Sequence, residues 1–157
     1  MIRPTTIVVG VDGSEASTSA LRWSADLVGA LGGEVVAVHA LGLLSHFHQG
    51  PAAVDDGGAP TPRTVPESPR AQAEAQLHGW CAPLAEAGVE HRCVVVDGNP
   101  VIALLQAAVD ARADLIVVGR RGSGGFPGLQ LGSTSHELTA HARLPVVVVP
   151  GDADRQT

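Results

Sequence analysis

Apolar and polar positions alternate along this chain in two textures. Short apolar runs rich in β-branched residues recur at 7–11 (IVVGV), 35–40 (VVAVHA), 89–96, 115–118 (LIVV) and 145–149 (PVVVV). Such runs predict strands buried on both faces of a sheet. Between them, apolar residues return at helical spacing. Leu21, Ala25 and Val28, with Leu31 after them, predict a helix that opens at Ser14 and stops at Gly32-Gly33. Residues 70–87 are alanine-rich and helical, and Pro83 predicts a kink or a split because its ring clashes with the carbonyl four residues back. Asn99-Pro100 opens another helix, with Ile102, Leu105 and Val109 as its expected apolar stripe. A last helix is expected over 133–143.

The order is strand, helix, strand, helix, repeated to a fifth strand. It predicts an α/β protein: a single open, doubly wound, five-stranded parallel sheet with helices on both faces, Rossmann-like. Residues 41–69 break the rhythm. They are proline-rich, carry Asp55-Asp56-Gly57-Gly58 and show no period, so they read as a long variable surface loop inside one domain spanning 1–150, with a polar tail at 151–157.

Composition narrows the function. At 157 residues with 45% hydrophobic and 17% charged residues the chain is expected to be globular, and one domain. Its net charge of −6 disfavours nucleic acid as a partner. No apolar run approaches the roughly 20 residues that span a bilayer, and the opening MIRPTTIVVGVDGS does not read as a secretory signal, so a cytoplasmic location and no membrane are expected. Cys81 and Cys93 stand twelve apart without CxxC spacing and read as free thiols. All ten basic residues are arginine, which excludes Schiff-base chemistry and a lysine on phosphate.

Candidate chemistry gathers at two strand ends. The first strand runs into Asp12, and the fourth into GRRGSGGFPGLQLGSTS at 119–135. Glycines 119, 122, 124, 125 and 128 are expected to allow positive φ and close approach to a ligand. Gly132 leads into Ser133, Thr134 and Ser135 at a helix start, where unpaired N–H groups and the helix dipole favour phosphate, with Arg120 and Arg121 adding charge. A P-loop is excluded by the missing lysine. The GxGxxG dinucleotide fingerprint fails because Pro127 stands at its last glycine.

The spacing Gly119-x2-Gly122-x9-Gly132-Ser133, with IVVGVDGS, DLIVVGRRG and LPVVVVP, resembles the universal stress protein family over nearly the whole chain. The resemblance implies a sheet in the order 3-2-1-4-5 and the ATP-binding branch, a nucleotide-binding stress-response protein. It implies that Asp12 approaches the ribose or base, that Ala40 offers backbone to adenine, and that Val11 and Val118 line the base or sugar. Gly119, Arg120, Gly122, Gly132, Ser133, Thr134 and Ser135 are then the expected ribose and phosphate residues. Mg²⁺ would reach Asp12 through the nucleotide. A homodimer through the C-terminal strand is also implied, and the apolar edge strand at 145–149 invites such pairing by itself.

Other readings are weaker. Asp12 with Asp97 lacks the acidic pair and lysine of a phosphoacceptor site. His46 and His48 have no third ligand, and His136, Glu137 and His141 read as a solvated helix face. Trp23 and Trp80 read as packing. No base is evidently placed for hydrolysis, with Gln130 and Glu137 the only nearby options, so slow or no ATP turnover is expected. A structural or interaction protein with an empty loop, a weak ATPase or cyclic AMP binder, and a flavin module remain the alternatives.

Overall fold

The computed structural model describes residues 5–42, 68–123, 128 and 130–152. The elements run β1 (Thr5–Gly10), α1 (Glu15–Leu31), β2 (Gly33–Leu41), α2 (Pro69–Trp80), α3 (Ala82–Glu86), β3 (Glu90–Asp97), α4 (Pro100–Asp110), β4 (Leu115–Gly119), α5 (Ser133–His141) and β5 (Val146–Val149). The five strands form one parallel sheet in the order β3-β2-β1-β4-β5. Winding therefore reverses between β1 and β4, as the expected 3-2-1-4-5 order requires.

Alternate strand residues feed two cores because successive side chains point to opposite faces. Ile7, Val9, Val35, Ala37 and Val117 pack under α1, α2 and α3 with Leu21, Leu77 and Leu84. Val8, Val36, Val38, Ile116 and Val118 pack under α4 and α5 with Leu104 and Leu138. Double-sided burial is why the strands read as continuous apolar runs.

Local chemistry sets the helix ends. Ser14 Oγ accepts from Ser17 N–H at 3.2 Å at the start of α1. Gly32, at φ 78°, closes that helix by donating to Val28 O at 2.7 Å. Asn99 Oδ1 accepts from Val101 N–H at 2.8 Å, with Pro100 in the first turn of α4.

The structure bears out the break expected near Pro83 and adjusts other expectations. The 70–87 segment is split: α2 ends at Trp80, Cys81 joins the halves, and Pro83 sits in the first turn of α3, where its missing N–H is harmless. The α4 stripe is displaced. Ile102 and Val109 are 68% and 70% exposed, while Val101, Ala103, Leu104 and Ala108 are buried. Leu105, the third member of the expected stripe, stays partly buried against the same core, so the face toward the sheet is turned rather than lost. Leu31 is likewise half exposed at the end of α1. The third strand is shifted by one residue and takes in Asp97, whose carboxylate receives Arg70 at 3.0 Å.

The expected loop at 41–69 lies almost wholly outside the described residues, as do His46, His48, Gly124, Gly125, Pro127 and the last five residues of the tail. No helix among the described residues is long and apolar enough to cross a membrane.

Candidate functional site

A cavity of about 520 Å³ opens at the carboxyl ends of the strands, where the winding reverses between β1 and β4. This is where open parallel sheets place ligands. One wall is apolar: Val38 and Ala40 of β2, Pro100 and Leu104 of α4, and Val118 of β4. The other is polar: Asp12, the Gly119–Gly122–Ser123 backbone, and Gly132 to Ser135 at the head of α5.

Asp12 organises the polar wall. Its Oδ1 accepts from the Ser14 N–H at 3.0 Å and the Ser14 hydroxyl at 2.5 Å. Its Oδ2 accepts from the Ser123 N–H at 2.8 Å, joining the turn after β1 to the glycine stretch after β4. Burial alone would raise the Asp12 pKa. The donors from Ser14, Ser123 and Ser17 outweigh it and hold the carboxyl below its ordinary value, so it is an anion at neutral pH.

Two of the motif glycines are small because of what packs against them. A Cβ on Gly119 would lie 2.7–2.8 Å from the Ala16 and Ser17 atoms of α1, so this glycine lets the helix seat against β4. A Cβ on Gly122 would lie 2.5 Å from Asp12 Oδ2. Gly132 precedes α5 at φ −69° and donates its N–H to Arg120 O at 2.8 Å. The expectation of positive φ along this stretch is therefore corrected. Among its described glycines only Gly128, at φ 99°, has it; close packing governs Gly119 and Gly122.

The head of α5 has no side-chain cap. The first-turn N–H groups of Ser133, Thr134 and Ser135 have no intrahelical acceptor by position, and all three residues line the cavity. The Ser135 hydroxyl is buried and secures the loop, donating toward Arg120 O at 2.9 Å and Gly132 O at 3.0 Å. The Arg120 side chain turns aside, its Nε donating to Gln130 O at 2.6 Å, and Arg121 lines the cavity instead. Val11 and Ala40, the remaining expected site residues, also line it.

Sequence reasoning did not single out Val38, His39, Pro100, Leu104 or Ser123 as site residues. The Asn99-Pro100 helix opening was the available signal, since a helix starting after a strand carries its first turns past the sheet's carboxyl edge. His39 Nδ1 meets Val11 O at 2.8 Å; a carbonyl only accepts, so Nδ1 carries the proton. The His39 ring also meets Trp80 edge-on, with centroids 5.1 Å apart. Asp97 ends β3 against Arg70, away from the cavity. No cluster of three or more His, Cys, Asp or Glu side chains suited to a metal occurs among the described residues.

The fold and the crevice define a doubly wound α/β protein with a built cavity at its switch point. A sequence profile of the universal stress protein family matches residues 4–150, and the chain belongs to that family. It is 33% identical over 151 residues to universal stress protein Rv1996 of Mycobacterium tuberculosis, covering 93% of this chain and 44% of that relative. The chain thus spans less than half the length of that relative. Among solved structures, a universal stress protein in complex with cAMP superposes with a TM-score of 0.67 at 25% identity, over 94% of this chain and 98% of the other. The universal stress protein from Archaeoglobus fulgidus in complex with dAMP, 22% identical, shares the fold with a TM-score of 0.65 over 95% and 99% of the two chains.

Proposed function

We propose that this chain binds an adenine nucleotide, with ATP as the physiological ligand, and acts as a nucleotide-responsive regulatory module in a stress response. The observation that carries the reading is the two-sided cavity at the switch point. Its apolar wall suits a base and its polar wall offers first-turn N–H groups and glycine backbone to phosphates. The cAMP-bound family member supports an adenine ligand. In this reading Val38, Ala40 and Leu104 flank the base, Val11, Val118 and Asp12 stand beside the sugar, and Gly119, Gly122, Gly132, Ser133, Thr134 and Ser135 surround the phosphates. Arg121 takes the charge-supplying role expected of Arg120.

Mg²⁺ fits only as a bridge. Asp12 is the carboxylate facing the cavity, and two of its acceptor positions are filled by Ser14 and one by Ser123. A magnesium ion arriving with a triphosphate would draw on Asp12 Oδ2, phosphate oxygens and water. Among the described residues, neither wall presents a second carboxylate or a glutamine to activate a water. In this reading turnover is slower than about 1 s⁻¹, below ordinary enzyme rates.

The test is a calorimetric titration with ATP, cyclic AMP and AMP on the wild-type chain and a Gly122→Asp variant. The new carboxylate would collide with Asp12 and repel phosphate. Binding to wild type and its loss in the variant are expected. Equal heat in both would place the ligand elsewhere, and no heat in wild type would favour an interaction protein with an empty loop.

A further inference from the structure

The two cysteines, twelve residues apart in the chain, belong to the same side of the sheet. Cys93 is exposed on β3, in register with Ala37 of β2. It shares strand parity with Val95, which packs into the core under α1, α2 and α3. Cys81 belongs to that same core, is 1% exposed, and occupies the single-residue joint between α2 and α3. Helices α2 and α3 both pack against β3, so Cys81 at their joint lies over the strand that carries Cys93. Both thiols are free.

We propose that Cys81 and Cys93 form a peroxide-sensitive dithiol that closes to an intramolecular disulfide and, through Trp80, alters the wall of the cavity. The effect on ligand affinity rests on the nucleotide reading above; the disulfide itself does not.

The division of labour follows from placement. Burial, then the hydrogen bond and charge of Cys93, push the Cys81 thiol far up, so Cys81 stays protonated and inert to solutes. Cys93 is the sulfur that a hydroperoxide in solvent can reach. Its thiolate attacks one peroxide oxygen, breaking the O–O bond. It becomes a sulfenic acid and expels hydroxide, which takes up the proton that Cys93 released. Cys81 sulfur then attacks the sulfenic sulfur. The S–S bond forms, the S–OH bond breaks, and the departing hydroxide leaves as water with the Cys81 proton. Two thiols and one hydrogen peroxide thus yield one disulfide and two waters.

The joint transmits the change. Trp80 immediately precedes Cys81, and drawing Cys81 toward β3 moves the end of α2. The Trp80 ring fills the space beside Gly13, where a Cβ would come within 2.5 Å of it, and meets His39 edge-on. Gly13 follows Asp12 directly, and His39 lines the cavity.

The test treats the reduced full chain with stoichiometric hydrogen peroxide, then maps its thiols by maleimide labelling and peptide mass spectrometry. Expected are loss of two hydrogens from the monomer and a linked Cys81–Cys93 peptide. Cys93→Ser should resist this treatment because its remaining thiol is buried. Cys81→Ala should stop at a Cys93 sulfenic acid trapped by dimedone. Two free thiols in treated wild type, or a link only between molecules, would overturn the pair. Transmission is read from Trp80 fluorescence in a Trp23→Phe chain. An emission change on oxidation, absent in Cys93→Ser, is expected; unchanged emission would overturn the link to the cavity. ATP affinity should differ about fivefold or more between reduced and oxidised chains, the range of ordinary allosteric coupling. Equal affinities would overturn regulation. A reduced chain that binds no ATP would refute the nucleotide reading while the thiol map still decides the disulfide.

Discussion

Asp12 does more for the protein than face the cavity. Its carboxylate takes three hydrogen bonds, from the Ser14 N–H and hydroxyl and the Ser123 N–H, and so ties two loops that are over a hundred residues apart in the chain. Its folded pKa lies below the ordinary 3.8. A carboxyl depressed in the folded state stabilises above the unfolded pKa, and that stabilisation is lost as pH falls through the folded value. Asp12→Asn cannot accept the Ser123 N–H with its amide nitrogen and is expected to cost about 1–2 kcal/mol near pH 7, the scale of a charge-assisted bond partly open to solvent. Denaturant melts from pH 7 to pH 2 check this: the gap between wild type and variant should narrow below pH 4. A gap that persists unchanged at pH 2 would mean the carboxylate charge contributes nothing. Asp12 was legible in the sequence because it stands alone at a strand end. The placement of Arg120 was not, since adjacent arginines read alike until the loop bends one toward Gln130 O.

At the scale of elements, α4 carries the main difference between pattern and packing. Its sequence has apolar residues on more than one face, so spacing alone selects no single stripe. The sheet chooses Val101, Ala103, Leu104 and Ala108. Leu104→Ala should therefore cost about 2–5 kcal/mol, the usual range for a buried leucine. Ile102→Ala, on the exposed side, should change stability by no more than about 0.5 kcal/mol. Urea unfolding of the two variants decides between the faces; equal costs would restore the Ile102 stripe. Leu104→Ala should also weaken any nucleotide whose base rests on the apolar wall. The split of the 70–87 helix shows the opposite case. Pro83 announced the break in the sequence, because a proline ring cannot follow an uninterrupted helix, and the break turned out to lie at Cys81.

For the whole molecule, β5 is the edge that bears on assembly. Ile116 N–H donates to Pro145 O and Arg120 N–H to Val149 O, so residues 145, 147 and 149 turn their peptide groups toward β4. In a parallel ladder the intervening Val146 and Val148 then present N–H and C=O groups to the open edge. We propose that the homodimer expected from the sequence would pair through this edge of β5. Sedimentation should find a dimer at micromolar concentration. Val148→Pro, which removes an outward N–H and spares the inner ladder, should shift the chain toward monomer with ATP binding retained. A wild-type monomer, or a dimer indifferent to this change, would exclude that interface.

The sequence by itself determined the element order, the parallel double-wound class and the two strand ends from which the polar wall is built. These are local or periodic properties: β-branched runs, helical spacing, Ser14, Asn99 and Gly32 at helix ends, and glycines in register after β4. Tertiary structure alone decided what meets what. The apolar wall joins Val38, Leu104 and Val118 from three distant segments, Gly119 is kept small by a helix rather than by a ligand, and the joint of a broken helix brings Cys81 over the strand that carries Cys93. Contacts of this kind depend on chain segments far apart in sequence arriving at one place, and no periodicity within either segment encodes its neighbour.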